Sequence, residues 1–300
     1  MASLLDLTSQ GDVGTISDES KLSQVKLMDP QQLYELWERQ PWAAHTIDFT
    51  RDAEDWAALP EEDRDRMTWT LSSFFIGEER VTTQFSGLVR AYDSQAEEAY
   101  LTTQQVDEAR HAQHFNNFYR RVVGYDGTFE ARLQRARADL NDAFTSLFDE
   151  HLVDANERLL RDPGDLEAKL DFVTTYHMVI EGTLALTGQH TVTKVFEERG
   201  ILPGFLEGFR NISTDEHRHV AYGTWYLQSK VREDAANAAR IQAKLTELLP
   251  VAAGVLVPPG MTLGDEYEIL GISASEVNAF AFTALSRRLK VIGVPMGAAV

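Results

Sequence analysis

Two short stretches decide the reading of this chain: Glu108-Ala109-Arg110-His111 and Glu216-His217-Arg218-His219. Each is Glu-x-x-His. Three residues advance a helix by ~300°, so the two side chains of each motif leave one face about a turn apart and can hold the same ion. A single motif of this kind has an ordinary alternative, a surface i,i+3 hydrogen bond or, for Glu216, a capping box with Ser213. Two further glutamates change the balance. Glu78 sits in the apolar stripe Leu71, Phe74, Phe75, Val81, Thr82 and Phe85, whereas its neighbour Glu79 falls off that stripe. Glu181 lies in the apolar run His177-Met178-Val179-Ile180-Glu181-Gly182-Thr183-Leu184-Ala185-Leu186. A bare carboxylate on either face is costly unless it is paired or binds a cation.

The order is therefore Glu, Glu-x-x-His, Glu, Glu-x-x-His, with 30 residues from Glu78 to Glu108 and 35 from Glu181 to Glu216. This internal pseudo-repeat is the ligand set of four helices that build a dinuclear carboxylate site in a bundle core. Carboxylates with imidazole suit iron and manganese, and the absence of cysteine disfavours a structural zinc site.

The helices follow from punctuation. Pro60 with Glu61, Glu62 and Asp63 opens the first; Ser94 with Glu97 matches a capping box for a second that runs to Val123 and stops at Gly124. A third is expected over 128–160, ended by Asp162-Pro163-Gly164, a fourth from Asp165 to Arg199 before Gly200, and a fifth from Pro203 to about Lys230. Strand alternation is nowhere sustained. The expectation is an all-α bundle in one domain, 1–300, with its core at about 56–231, an irregular N-terminal segment at 1–55, and a looser C-terminal extension at 250–300 carrying one more helix from Ser273 to about Lys290.

Composition closes off other classes. The 300 residues are 43% hydrophobic and 25% charged, which excludes a wholly disordered or membrane-embedded chain. A net charge of −19 with no basic patch argues against nucleic acid. Zero cysteines exclude disulfides, thiolate metal sites and iron–sulfur clusters, and fit a reducing compartment. The first 20 residues lack a basic, then apolar, export signal, and the longest apolar run, Val251 to Val257, is too short to span a bilayer, so a cytoplasmic protein with no membrane span is expected.

The stretches IDFTRDAEDW, FIGEERVTTQ, VDEARHAQHF, YHMVIEGTLALTG and DEHRHVAYGTW resemble the ferritin-like ribonucleotide-reductase small-subunit superfamily, and within it the R2-like ligand-binding oxidases. The resemblance spans about Trp42 to Trp225 and implies a ferritin-like fold. It implies one metal site from Glu78, Glu108 and His111 and another from Glu181, Glu216 and His219, with Glu108 a candidate bridge. It further implies a mixed Mn/Fe centre, with Fe/Fe possible, that activates O2 for two-electron oxidation of an apolar substrate, and a long-chain fatty acid bound at the metals in an apolar tunnel walled by Phe and Leu of the first, second and fourth helices. An ether crosslink between Val81 and Tyr176 is implied as well. Val81 follows Glu78 by three residues and shares its face, but Tyr176 precedes Glu181 by five, ~500° of rotation, so a local distortion such as a π-bulge is needed for both to face the metals.

Two rivals stand beside this reading. A reductase small subunit usually carries a radical tyrosine four residues after the first ligand histidine, where this chain has Phe115, and docks its partner through an acidic, aromatic tail that VIGVPMGAAV does not match. A metal-storage or scaffold bundle leaves the buried glutamates unexplained. Asp215 is a candidate to orient a ligand histidine and Trp42 a candidate electron relay; the electron donor is unknown, and a homodimer is possible. His114, His151, His177, His190 and His217 read as core or surface histidines, and His45 is undetermined.

Overall fold

Acidic first turns, caps and left-handed glycine stops set the long helices. The computed structural model describes residues 7–9, 11–12 and 17–295. Helix α3 (Glu61–Gln84) starts with Glu61, Glu62 and Asp63 against its dipole. After a short α4 (Ser86–Arg90), α5 (Gln95–Phe118) begins at Ser94, whose hydroxyl accepts the Glu97 backbone N–H at 3.2 Å. The Glu97 carboxylate takes the N–H of Asp93 (2.7 Å) rather than that of Ser94, so the box closes one residue early. A π-helical turn, Tyr119–Val123, continues α5 to Gly124 at φ 79°. Helix α9 (Leu166–Val173), capped by Asp165, passes into a π-helical segment, Thr174–Ala185, and then α10 (Leu186–Arg199), which stops at Gly200 at φ 65°. Helix α11 runs Pro203–Glu233.

Helix α3 packs on α5, the π segment and α10 pack on α11, and α5 meets α11, so all four candidate ligand helices surround one space. Two two-stranded antiparallel pairs, β1 (Leu7–Thr8) with β2 (Gly11–Asp12) and β3 (Glu268–Ile269) with β4 (Ile272–Ser273), are the strands among the described residues. No helix of the described residues is long and apolar enough to cross a membrane.

The expected irregular segment at 1–55 is corrected in part. Its described portion holds α1 (Pro30–Glu38), with an Asp29/Gln32 capping box, and the start of α2 (Thr50–Ala58). Helix α1 packs against α5. The buried Asp52 of α2 caps α11, its two oxygens accepting the N–H groups of Gly204 (2.9 Å) and Phe205 (2.6 Å). The expected third helix is broken: α6 (Phe129–Arg137) ends before Asn141, whose side chain caps α7 (Asp142–Thr145) at the Phe144 N–H (2.9 Å), and a π-helical turn, Ser146–His151, leads into α8 (Leu152–Arg161).

The tail is also more regular than expected. Helix α12 (Asn237–Val255) runs through Pro250. An internal proline costs ~3 kcal/mol; burial of Leu245, Leu248, Ala252 and Val255 along the same face offsets it. The last helix, α13 (Ala274–Ile292), is capped by Ser273 as expected. The N-terminal residues 1–6 and the end of the VIGVPMGAAV tail, 296–300, lie outside the described residues.

Candidate metal centre

All six expected ligands converge in the middle of the bundle and all are buried. Among the described residues, two groups have ligand atoms within 4.8 Å of one another: Glu78, Glu108, His111 and Glu216, and Glu108, Glu181, Glu216 and His219. Glu216 thus joins Glu108 in both groups, where the resemblance implied only Glu108 as a bridge. His111 Nδ1 lies 3.3 Å from Glu78, 3.6 Å from Glu108 and 3.5 Å from Glu216. His219 Nδ1 lies 3.0 Å from Glu108, 3.2 Å from Glu181 and 3.8 Å from Glu216.

These residues fit a pair of cations. Donor atoms each ~2.1 Å from one ion at right angles lie about 3 Å apart, close to the spacings above. Glu108 Oε2, Glu181 Oε2, Glu216 Oε2 and His111 Nδ1 are buried with no hydrogen-bond partner in the protein. Four carboxylates and two neutral imidazoles carry the charge that two divalent ions neutralise. Without ions the cluster is electrostatically uncomfortable: burial pushes the Glu78 and Glu181 carboxyls up to about 7 and Glu216 higher than usual. Burial alone would depress the two histidines, but facing carboxylates, Glu78 for His111 and Glu108 for His219, outweigh it and raise them.

The π segment explains how Tyr176 and Glu181 both reach the centre. Its wider winding bonds residues five apart, so the five-residue spacing returns to nearly the same face. The Tyr176 hydroxyl donates to Glu108 Oε1 at 2.6 Å, and Gln104 spans Tyr176 (3.3 Å) and Glu181 (3.4 Å). Val81 lines the same space as Glu78, Glu108, Glu181 and Glu216.

An outer layer braces the histidines crosswise. Asp215 of α11 lies 3.1 Å from Nε2 of His111 on α5, and Asp107 of α5 lies 3.2 Å from Nε2 of His219 on α11. A carboxylate only accepts, so each Nε2 carries the proton and each Nδ1 is left with its lone pair towards the metal space. Trp42 donates to Asp215 (2.7 Å) and Trp37 to Asp107 (2.9 Å). Arg110 pairs with both aspartates, and so does Arg218, which is fully buried. The outer layer is therefore neutral by itself. Asp215 is where the sequence placed it; Asp107, Arg110, Arg218, Trp37 and Gln104 were missed. The available signal was a longer repeat, Asp-Glu-x-Arg-His, present at 107–111 and at 215–219.

Among the described residues, none of the other histidines belongs to either group. His114 is buried against Trp42, Phe49 and Phe205, and burial holds it neutral, its pKa lowered to about 3. His177 is buried between Tyr176 and Tyr222, His151 pairs with Glu247 (3.2 Å), and His190 stacks on Phe280.

A cavity of about 100 Å³ ends at Glu78, Glu108, Glu181 and Glu216. Its walls include Phe74, Phe144, Phe148, Ile180, Leu184 and Val277, and no Lys or Arg lines it. The expected contribution from the second helix, α5, is limited to Glu108; α7, the π-helical turn after it, and the C-terminal helices supply the wall instead.

Fold and cluster together define a ferritin-like bundle with a buried dinuclear carboxylate–histidine site. The family model for the ribonucleotide reductase small chain matches residues 20–296, and the chain belongs to that family. Among solved structures it is similar to R2-like ligand-binding oxidase. A valine-to-isoleucine variant with anaerobically reconstituted Mn/Fe cofactor is 27% identical at a TM-score of 0.76, covering 88% of this chain and 93% of that one. A tyrosine-to-phenylalanine variant with aerobically reconstituted Mn/Fe cofactor is 26% identical at 0.74, covering 89% and 94%.

Proposed function

We propose that this protein is an oxygen-activating Mn/Fe oxidase that holds a long-chain fatty acid in the apolar cavity and joins Val81 to Tyr176 by an ether bond. The observation that carries the reading is the cavity itself: an apolar wall without a single cation, leading to four carboxylates. An acidic ligand there finds positive charge only at the metals, so its head group must face them and its chain must occupy the wall.

Glu78, Glu108 and His111 would hold one ion and Glu181, Glu216 and His219 the other, manganese in the first site and iron in the second, and Glu108 and Glu216 lie within reach of both groups. Bound metals supply the electrons and Lewis acidity for O2 reduction. The chain's own residues do the rest. Asp215 and Asp107 fix the tautomer and direction of His111 and His219. The Tyr176 hydroxyl has Glu108 as its proton acceptor at 2.6 Å, and Val81 faces the same carboxylates from one turn beyond Glu78. Forming the ether removes the Tyr176 O–H and Val81 Cβ–H hydrogens, two electrons and two protons that O2 accepts. The phenyl and alkyl wall keeps water away from the oxidising centre.

The family match alone also allows a radical-generating subunit of a nucleotide reductase; Phe115, stacked on Phe74 where that subunit usually has its radical tyrosine, holds no oxidisable hydroxyl, and it is Val81 and Tyr176 together at the cluster that favour the oxidase. Reduced, metal-loaded protein should be exposed to O2, digested and mapped by mass spectrometry. The expected result is one joined Val81/Tyr176 peptide pair, two hydrogens light, absent from metal-free protein and from Tyr176→Phe, together with an extractable fatty acid. Two free peptides and no lipid from fully metallated, oxidised protein would overturn the reading.

A further inference from the structure

A second aromatic path leaves the metal centre, and its outer members, Tyr222 and Trp225, take no part in the reaction above. Tyr222 on α11 is fully buried, and its hydroxyl donates to Glu97 Oε1 at 2.5 Å. Glu97, equally buried, also accepts from Lys169 Nζ (2.8 Å), and Lys169 in turn lies 3.4 Å from Asp93. Inward, the Tyr222 ring is 5.2 Å from His177, itself 4.6 Å from Tyr176, and 5.5 Å from Tyr100. Tyr176 touches Glu108, and Tyr100 is within electrostatic reach of His219, Asp107 and Glu181. Outward, Trp225 lies 6.0 Å away and is only partly buried. Gly223 makes this approach possible, since a Cβ there would come within 2.2 Å of the His177 side chain.

A structural buried tyrosine needs only a partner for its hydroxyl, yet its neighbours Tyr100 and Tyr226 are buried with hydroxyls that have none. Of these three neighbouring phenols, Tyr222 alone hydrogen-bonds a carboxylate that can take its proton. A phenol gives up an electron far more readily when the acidic O–H proton can move to a base at the same moment, and a Glu–Lys–Asp relay keeps the amine paired while the glutamate is protonated.

We propose that Tyr222 is a redox-active tyrosine that discharges the oxidised metal pair when no substrate supplies electrons. This rests on the oxygen-activating reading. One electron passes from Tyr222 to the oxidised metal pair; the Tyr222 O–H bond breaks and a Glu97 Oε1–H bond forms, leaving a neutral tyrosyl radical. Trp225 then passes in one electron from a soluble one-electron reductant, and the proton returns from Glu97 to Tyr222.

The test mixes reduced, metal-loaded protein with O2 and no reductant, freezes it at intervals and records electron paramagnetic resonance with and without ring-deuterated tyrosine. A transient tyrosine signal that narrows on deuteration is expected. It is lost in Tyr222→Phe and kept in Tyr226→Phe; when a soluble one-electron reductant is then added, the signal should decay more slowly in Trp225→Phe than in wild type, the half-buried position of Trp225 tolerating the change. Peptide mapping after prolonged exposure should place oxidised tyrosine at Tyr222 in wild type, a readout that does not depend on the folding of any variant. Metals oxidised and O2 consumed with no tyrosine signal, or a signal that survives Tyr222→Phe, overturns the proposal and leaves the proposed function standing. Failure of the loaded protein to consume O2 overturns both.

Discussion

The crossed bracing of the two histidines makes a prediction that a simple pairing of each motif with itself would not. Asp107 and Glu108 are neighbours on α5, but Asp107 orients His219 on α11; Asp215 and Glu216 are neighbours on α11, but Asp215 orients His111 on α5. Asp107→Asn should therefore weaken the metal held by Glu181 and His219, and Asp215→Asn the metal held by Glu78 and His111. Removing such an outer partner typically lowers metal affinity 10- to 100-fold, about 1.4–2.7 kcal/mol. A second cost falls on the fold, because each variant leaves Arg110 and the buried Arg218 sharing one carboxylate where they had two. Breaking a buried pair costs about 3–5 kcal/mol. The two effects separate by assay: urea unfolding of metal-free protein reads the second, and metal titration followed by element-resolved anomalous diffraction reads the first, site by site. Loss at the metal on the same helix as the mutated aspartate, or equal loss at both, would refute the argument.

Three further outcomes follow from the same geometry. Glu78 and Glu181 have carboxyls raised to about 7 in the ion-free fold against about 4.5 unfolded, so their neutral forms stabilise below pH 4.5 and that stability is lost as pH rises through 7; at 1.36 kcal/mol per unit this is about 3 kcal/mol each, and urea unfolding of metal-free protein at pH 5 and 8 should show it while metal-loaded protein does not. Glu108→Ala or Glu216→Ala should lose both metals, since each serves both groups, whereas Glu78→Ala should lose one; elemental analysis decides, and full stoichiometry in the first two would remove them from the ligand set. Gly223→Ala puts a methyl 2.2 Å from the His177 side chain and should lower stability by about 1–3 kcal/mol in thermal or denaturant unfolding, an unchanged midpoint refuting the contact.

The cluster was legible in the sequence because Glu78 and Glu181 sit where helical periodicity demands an apolar residue, and because Glu-x-x-His occurs twice. The outer layer was hidden by the opposite circumstance. Asp107 and Arg110 look like any charged pair on an exposed helix turn, and their partners, Asp215 and Arg218, lie more than 100 residues away on α11. Only the repetition of Asp-Glu-x-Arg-His distinguishes them from surface charge. Helix α1 carried its own signal, Asp29, Pro30 and Gln32 in capping positions, but spans only nine residues. Helix α12 runs into the extension expected to be looser at 250–300 because the local breaker Pro250 is overridden by tertiary burial, which no local pattern reports. Once the resemblance directs Tyr176 to the metals, the five-residue spacing to Glu181 asks for a π distortion, whereas its length, twelve residues, was not legible.

Charge balance ties the cavity to the oxidation state of the centre under the proposed function. Four glutamates and two divalent ions leave the inner site neutral, and the outer layer of Asp107, Asp215, Arg110 and Arg218 is neutral as well. A fatty-acid carboxylate entering the reduced site therefore adds an uncompensated negative charge in a wall with no Lys or Arg to meet it. Oxidation of the metals adds positive charge at the cavity's end. A unit charge ~4 Å from a carboxylate at an effective dielectric of about 20 is worth about 4 kcal/mol, so even a third of that, about 1.4 kcal/mol, would tighten the ligand tenfold. Fatty-acid retention should accordingly be at least about tenfold stronger in oxidised than in anaerobically reduced, fully metallated protein, measured by competition with a labelled fatty acid. Equal release from the two states would show that the ligand's head group is not neutralised by the metals and would separate the apolar cavity from the redox chemistry.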